Sequence, residues 1–288
     1  MPSGADASLV FGAVSLGLPY GLRRSGAGAN QLPSDDDVRA LVEGALALGV
    51  DTFDTAPAYG TSEERLGAVL GGRAAVWTKV TAGDPAASLA TSLDRLGRSS
   101  VDVLQWHNWS AKLASDPAWV ERWTALRGDP RVKRLGATTY GVADAVAAVN
   151  SGLFELVQVE FNLLVQGVVN AIAPDALARR VDIAVRSVLL QGALTDEGRD
   201  LPQLPTLREG VRRARDLARE GGGLTALAMR AAIEHPAIRY VLIGFDRTAQ
   251  LQDAVRIAKG PRLTDALHER ARALDLSGDP ACDPRNWR

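Results

Sequence analysis

Short apolar runs alternate with longer stretches of helical spacing along almost the whole chain. Residues 9–14, 52–53, 75–78, 101–105, 132–137, 156–159, 183–187 and 240–243 read as strands. Residues 36–48, 63–70, 86–96, 119–126, 142–150, 168–179, 206–219 and 248–259 place apolar side chains on one helix face. Strands that alternate with helices predict an α/β protein with a parallel sheet, and 288 residues suit a closed (β/α)8 TIM barrel of about 250 residues with additions. Segments 224–234 and 264–274 are helical and exceed the repeat, so two extra helices are expected. Ser34 ahead of three aspartates, and Asp84 ahead of Pro85, are helix-start signals.

No Pro/Ser-rich linker or shift of composition splits the chain, so residues 1–288 read as one domain. The segment 25–29 and the glycine run 221–223 read as turns within it. A net charge of −1 with 46% hydrophobic residues fits a soluble globular protein and gives no reason to expect nucleic acid as a partner. The densest basic stretch, 208–219, is interleaved with acids and reads as a solvated helix face. Cys282, the single cysteine, rules out an intramolecular disulfide, fits a reducing cytoplasm and reads as a tail residue. The first residues lack a basic start followed by an apolar core, and no uncharged apolar stretch approaches about 18 residues, so neither a secretory signal nor a membrane span is expected. Nothing in the sequence speaks to oligomeric state.

Three successive apolar runs end in ionisable residues. Asp54 follows the run 50–53 with Tyr59 just beyond it, Lys79 follows 74–77, and His107 follows 101–106. In a parallel barrel the strand ends on one face converge, so Asp54, Tyr59, Lys79 and His107 are expected to share one pocket. There Lys79 as an ammonium lowers the pKa of Tyr59, Asp54 keeps that ammonium charged, and a neutral His107 has an N–H to donate to a bound molecule. His235 and His268 read as solvent-exposed, and the three histidines form no metal-ligand set. No Gly-x-Gly-x-x-Gly fingerprint occurs, which argues against a Rossmann domain.

The segment Gly49-Val-Asp-Thr-Phe-Asp54-Thr-Ala-Pro-Ala-Tyr59-Gly60, with Ser62-Glu-Glu-Arg-Leu-Gly67 after it, resembles the signature of the aldo-keto reductases. Trp77-Thr-Lys79, Asp102-Val-Leu-Gln-Trp-His107, Gln158-Val-Glu-Phe-Asn162 and Ile243-Gly-Phe-Asp-Arg-Thr-Ala-Gln-Leu251 match further blocks in order. Leu16-Gly-Leu-Pro-Tyr-Gly21 and Pro284-Arg-Asn-Trp287 are similar to the ends of bacterial members. The resemblance implies NAD(P)H-dependent reduction of an aldehyde or ketone, with Tyr59 as general acid, Lys79 tuning it, and Asp54 paired to Lys79. It maps the cofactor onto Thr138 and Gln158 at the carboxamide, Arg186 at the stacking position, and Ser187 and Leu189 near the pyrophosphate. Gly244, Asp246, Arg247 and Gln250 are mapped near the adenosine ribose.

Tyr20, Trp106, Trp109 and Trp287 are the candidates to line a site for a small carbonyl substrate. Short loops on this face, notably 109–117, fit an open site for a sugar-like compound. The chain departs from the family at three places. Thr138-Thr139 replaces Ser-Asn, Arg186 replaces an aromatic, and Asp246 takes a basic position with Arg247 beside it. An aspartate repels a 2′-phosphate and an arginine attracts one; NADPH is expected, with NADH left open. Two rival readings are a non-enzymatic protein that senses nicotinamide nucleotides, as channel β subunits of this fold do, and a metal-dependent barrel hydrolase. The intact set of four favours the enzyme, and the shortage of histidine disfavours the hydrolase.

Overall fold

The computed structural model describes residues 6–22, 31–81 and 83–287. The expected turn at 25–29 lies outside them. Eight parallel strands, β1 (Ser8–Gly12), β2 (Thr52–Asp54), β3 (Ala75–Val80), β4 (Val101–Trp106), β5 (Val132–Thr138), β6 (Leu156–Glu160), β7 (Asp182–Arg186) and β8 (Ile238–Ile243), pair in sequence order, and β8 closes on β1. Around them lie α1 (Val14–Gly17), α2 (Asp35–Ala47), α3 (Ser62–Leu70), α4 (Pro85–Leu96), α5 (Pro117–Ala125), α6 (Gly141–Asn150), α7 (Gly167–Arg179), α8 (Pro205–Ala218), α9 (Leu224–Ile233), α10 (Thr248–Ala258) and α11 (Asp265–Arg272). This is the expected (β/α)8 barrel, and α9 and α11 are the two extra helices. Ser34 accepts from Asp37 N in a reciprocal capping box, and Asp84 caps α4 ahead of Pro85.

Strand alternation builds the site. Val10, Trp77, Val103, Leu156, Ala184 and Leu242 form an apolar layer inside the barrel. Two residues further along their strands stand Gly12, Lys79, Gln105, Gln158, Arg186 and Gly244, which the period of two keeps inward-facing at the C-terminal ends. The residues between, such as Phe11, Val76, Leu104 and Val157, pack outward against the helices. One register thus stacks a polar layer on an apolar one.

The run read as a strand over 9–14 stops at Gly12 and turns into α1. The turn brings Gly17 against the Tyr59 loop: a Cβ at Gly17 would lie 1.9 Å from Tyr59 O, and one at Gly60 would lie 2.2 Å from Gly17 O. Both positions require glycine, and Gly60 also has φ +59. The loops on this face are not uniformly short. The connection 187–204 runs long, with Ser187, Leu190 and Gln191 at positive φ. Cys282 lies in the C-terminal tail and is buried there, and His235 and His268, read as solvent-exposed, are half-buried, His268 Nε2 lying 2.7 Å from Glu234 Oε2. Among the described residues no helix is long and apolar enough to cross a membrane.

Candidate active site

Lys79 is wholly buried at the end of β3. Its Nζ donates to Asp54 Oδ2 at 2.6 Å and to Thr55 O at 2.8 Å. Asp54 Oδ1 accepts from Gln105 Nε2 at 2.8 Å and from Gln158 Nε2 at 3.1 Å, and Gln158 Nε2 also reaches Gln105 Oε1 at 3.0 Å. A buried ion pair whose remaining lone pairs are satisfied this way holds one geometry. Gln105 was not singled out in the sequence, although its place two residues beyond Val103 marks it as inward-facing.

Tyr59 stands over this pair, with the Lys79 ammonium 4.8 Å from its ring centroid. His107 meets the same ring edge-on at 5.9 Å. The four residues are therefore one cluster. Burial pushes the Tyr59 phenol above its ordinary pKa, and the downward pull of Lys79 does not offset it, so the expected lowering is reversed in sign. Burial also works against the Lys79 charge, yet Asp54 and Tyr59 more than compensate, leaving that ammonium above its ordinary range. His107 is pushed down to about 3, by burial first and then by Lys79 and Arg186. It is a neutral imidazole at working pH. Its Nδ1 is buried without a partner, and since an orphaned acceptor is tolerated better than an orphaned donor, the ring proton belongs on Nε2.

Beside the cluster runs a cleft of about 320 Å³. Ser187, Leu189, Gly244, Asp246 and Gln250 line it, as does Tyr20. Glu197 and Arg199, missed in the sequence, line it too. Arg199 is 8% exposed, donates to Leu22 O at 3.1 Å and to Glu197 at 3.1 Å, and its Nε is buried without a partner. An arginine so placed is ready for an anion. Arg247 pairs with Glu197, which also accepts from Gln250 Nε2 at 3.3 Å, and Asp246 lies 4.0 Å from Arg199.

Other sequence candidates are placed differently. Thr138 is buried and its hydroxyl accepts from Asn108 N at 2.8 Å. Gln158 commits its amide donor to Asp54 and Gln105 rather than to the cleft. Arg186 stacks on Tyr140. Trp106 borders, with His107, Asn108 and Arg122, a second groove beyond the histidine, although its ring packs edge-on against Trp119 and Trp123. Trp109 lines neither hollow, because its ring is 1% exposed and packs on Phe154 in the core. Trp287 lines neither as well, its Nε1 donating to Ala281 O at 2.8 Å within the packed tail. Which way a tryptophan turns depends on packing that sequence spacing does not carry.

Comparison with known proteins gives a consistent picture. Residues 8–275 match the Aldo/keto reductase family. A D-threo-aldose 1-dehydrogenase from a Pseudomonas species is 28% identical, over 76% of this chain and 82% of its own. An aldo-keto reductase from Bacillus halodurans in its holo form shares the fold with a TM-score of 0.79 at 19% identity, covering 96% of both chains. The glycerol dehydrogenase of Gluconobacter oxydans does so with a TM-score of 0.73 at 22% identity, covering 95% of this chain and 93% of its own.

Proposed function

Because this chain belongs to the aldo/keto reductase family, we propose that it interconverts a small hydroxylated aldehyde or ketone and the corresponding alcohol, with Tyr59 as the proton donor and acceptor. The observation that carries this is the fully buried Lys79–Asp54 pair under Tyr59, facing a neutral His107. In reduction Tyr59 gives its proton to the carbonyl oxygen, and the Lys79 ammonium stabilises the phenolate left behind. Asp54 fixes that ammonium, and Gln105 and Gln158 fix Asp54. The His107 Nε2–H holds the oxygen on the side opposite Tyr59. A sugar-like substrate is supported by the Pseudomonas relative, an aldose dehydrogenase by name.

The donor set fits a nicotinamide dinucleotide in the cleft, since Arg199, whose Nε has no partner, sets a guanidinium in the lining where a phosphate would lie. Such a group, when bound, supplies or accepts the hydride that no residue here can carry. The sequence favoured NADPH through Arg247. That guanidinium is already paired with Glu197, and Asp246 is 52% exposed beside it, where a carboxylate can accept from a free ribose hydroxyl. We therefore read the site as favouring NADH. Titrating both dinucleotides by calorimetry, then assaying aldoses, polyols and small aldehydes with the one that binds, tests the reading. No binding of either, or binding without turnover of any carbonyl or alcohol, contradicts it.

A further inference from the structure

Arg186 ends β7 in the inward-facing set, two residues beyond the interior Ala184. Its Nη2 donates to Thr139 O at 2.7 Å, and its guanidinium lies 4.1 Å from the Tyr140 ring, which Arg285 also covers at 4.0 Å. The carboxylate paired with it, Glu160, is 3.4 Å away and also accepts from Gly141 N at 2.9 Å. The cation is thus fixed in place, with the Glu160 carboxylate beside it, the Asp283 carboxylate within electrostatic reach, and the Arg285 guanidinium on the same ring. Ser187, the next residue, lines the cleft, and Arg186 itself ends its strand at the barrel mouth. Its charge acts on Tyr59, His107 and Tyr20 alike.

We propose that Arg186 makes the bound dinucleotide a stronger hydride acceptor than it would be without that charge. The inference rests on the dinucleotide reading above. A ring that exchanges a hydride with a carbon whose oxygen lies between Tyr59 and His107 must come to the barrel mouth, within reach of the Arg186 charge. In the oxidation the alcohol C–H bond breaks and its hydride, two electrons and a proton, goes to the ring. The O–H proton goes to the Tyr59 phenolate, and the ring loses its positive charge. A fixed guanidinium therefore opposes the cationic oxidised ring and leaves the neutral reduced ring untouched. An aromatic residue at the same place would lack this bias.

Because the two redox forms and their complexes make a closed cycle, the ratio of the two dissociation constants reads the shift of the bound couple directly. Calorimetric titration of wild type, Arg186→Met and Arg186→Lys with NAD+ and with NADH tests this, with thermal unfolding to verify that each variant folds. Wild type is expected to bind the reduced form at least about tenfold tighter. Arg186→Met should narrow that ratio about tenfold by tightening the oxidised form, equivalent to about 30 mV for a two-electron couple. Arg186→Lys should keep most of the wild-type ratio. A ratio indifferent to the charge at position 186, or an equal weakening of both forms in both variants, overturns the proposal. Wild type that binds neither form removes the dinucleotide reading itself, an outcome distinct from binding both with an unmoved ratio.

Discussion

Lys79 and Asp54 meet at 2.6 Å with both side chains out of water, and Asp54 is the foremost influence that holds the Lys79 ammonium charged against its burial. Removing one partner leaves a buried charge without compensation, which costs about 3–5 kcal/mol. Lys79→Met should destabilise the fold by that order and reduce turnover as well. The double variant Lys79→Met/Asp54→Asn should recover part of the stability but none of the turnover. Urea denaturation of Lys79→Met, Asp54→Asn and the double variant checks this, and additive losses in the double variant would refute the pairing argument.

Gly17 and Gly60 let α1 and the Tyr59 loop touch backbone to backbone. Gly17→Ala forces the two apart, since the added methyl has only backbone to displace. Turnover should fall by about 100-fold, the scale of loss from a misplacement of about 1 Å, while the dinucleotide dissociation constant stays within a few-fold. Near-normal turnover in Gly17→Ala would show that the contact does not position Tyr59.

Two histidines make stability depend on pH. Burial foremost, with neighbouring cations, holds His107 at about 3 and His235 at about 4, against an ordinary value of 6.5. Between those values the unfolded chain binds the extra protons. Stability from these groups is present in full above the ordinary value and is lost as pH falls toward the folded values. Denaturation midpoints should be flat above neutrality and decline on acidification below about pH 6.5. His235→Gln should flatten part of that decline. A rise in stability over the same window would contradict the burial assigned to these rings.

Glu197 holds the arginine that a 2′-phosphate would need. Glu197→Gln should tighten NADPH by about 10-fold, and Arg247→Ala should leave NADH unchanged. Asp246→Ala should weaken NADH. If Arg247→Ala instead weakens NADPH strongly in a protein that already prefers it, the sequence expectation was right and the cofactor reading from the structure is wrong.

Much of this was legible because strands and their ends leave a periodic trace. Thr52-Phe53, Trp77, Val101 and Val103 announce apolar strands, and the ionisable residue just past each one announces where the face of the barrel opens. Lys79 and Gln105 follow from a spacing of two, which is a property of the backbone. What lay outside the pattern depends on contacts between segments distant in the chain. Residues 9–14 look like one strand until Gly17 must meet Gly60. Glu197 and Arg199 sit in a connection with no period of its own and gain meaning only from Arg247 and Leu22 across the cleft. The sign of the Tyr59 shift needed the depth of its burial, since Lys79 alone argues for the opposite direction.

Tyr59→Phe tests the central claim most directly, because it removes one oxygen and keeps the ring that packs against His107 and Lys79. Calorimetry and steady-state kinetics on the same preparation separate binding from proton transfer. The predicted result is dinucleotide affinity within a few-fold of wild type and turnover lower by about 10²–10⁴, the worth of a positioned acid. Turnover retained in Tyr59→Phe would contradict the account, because the proton would then come from another group.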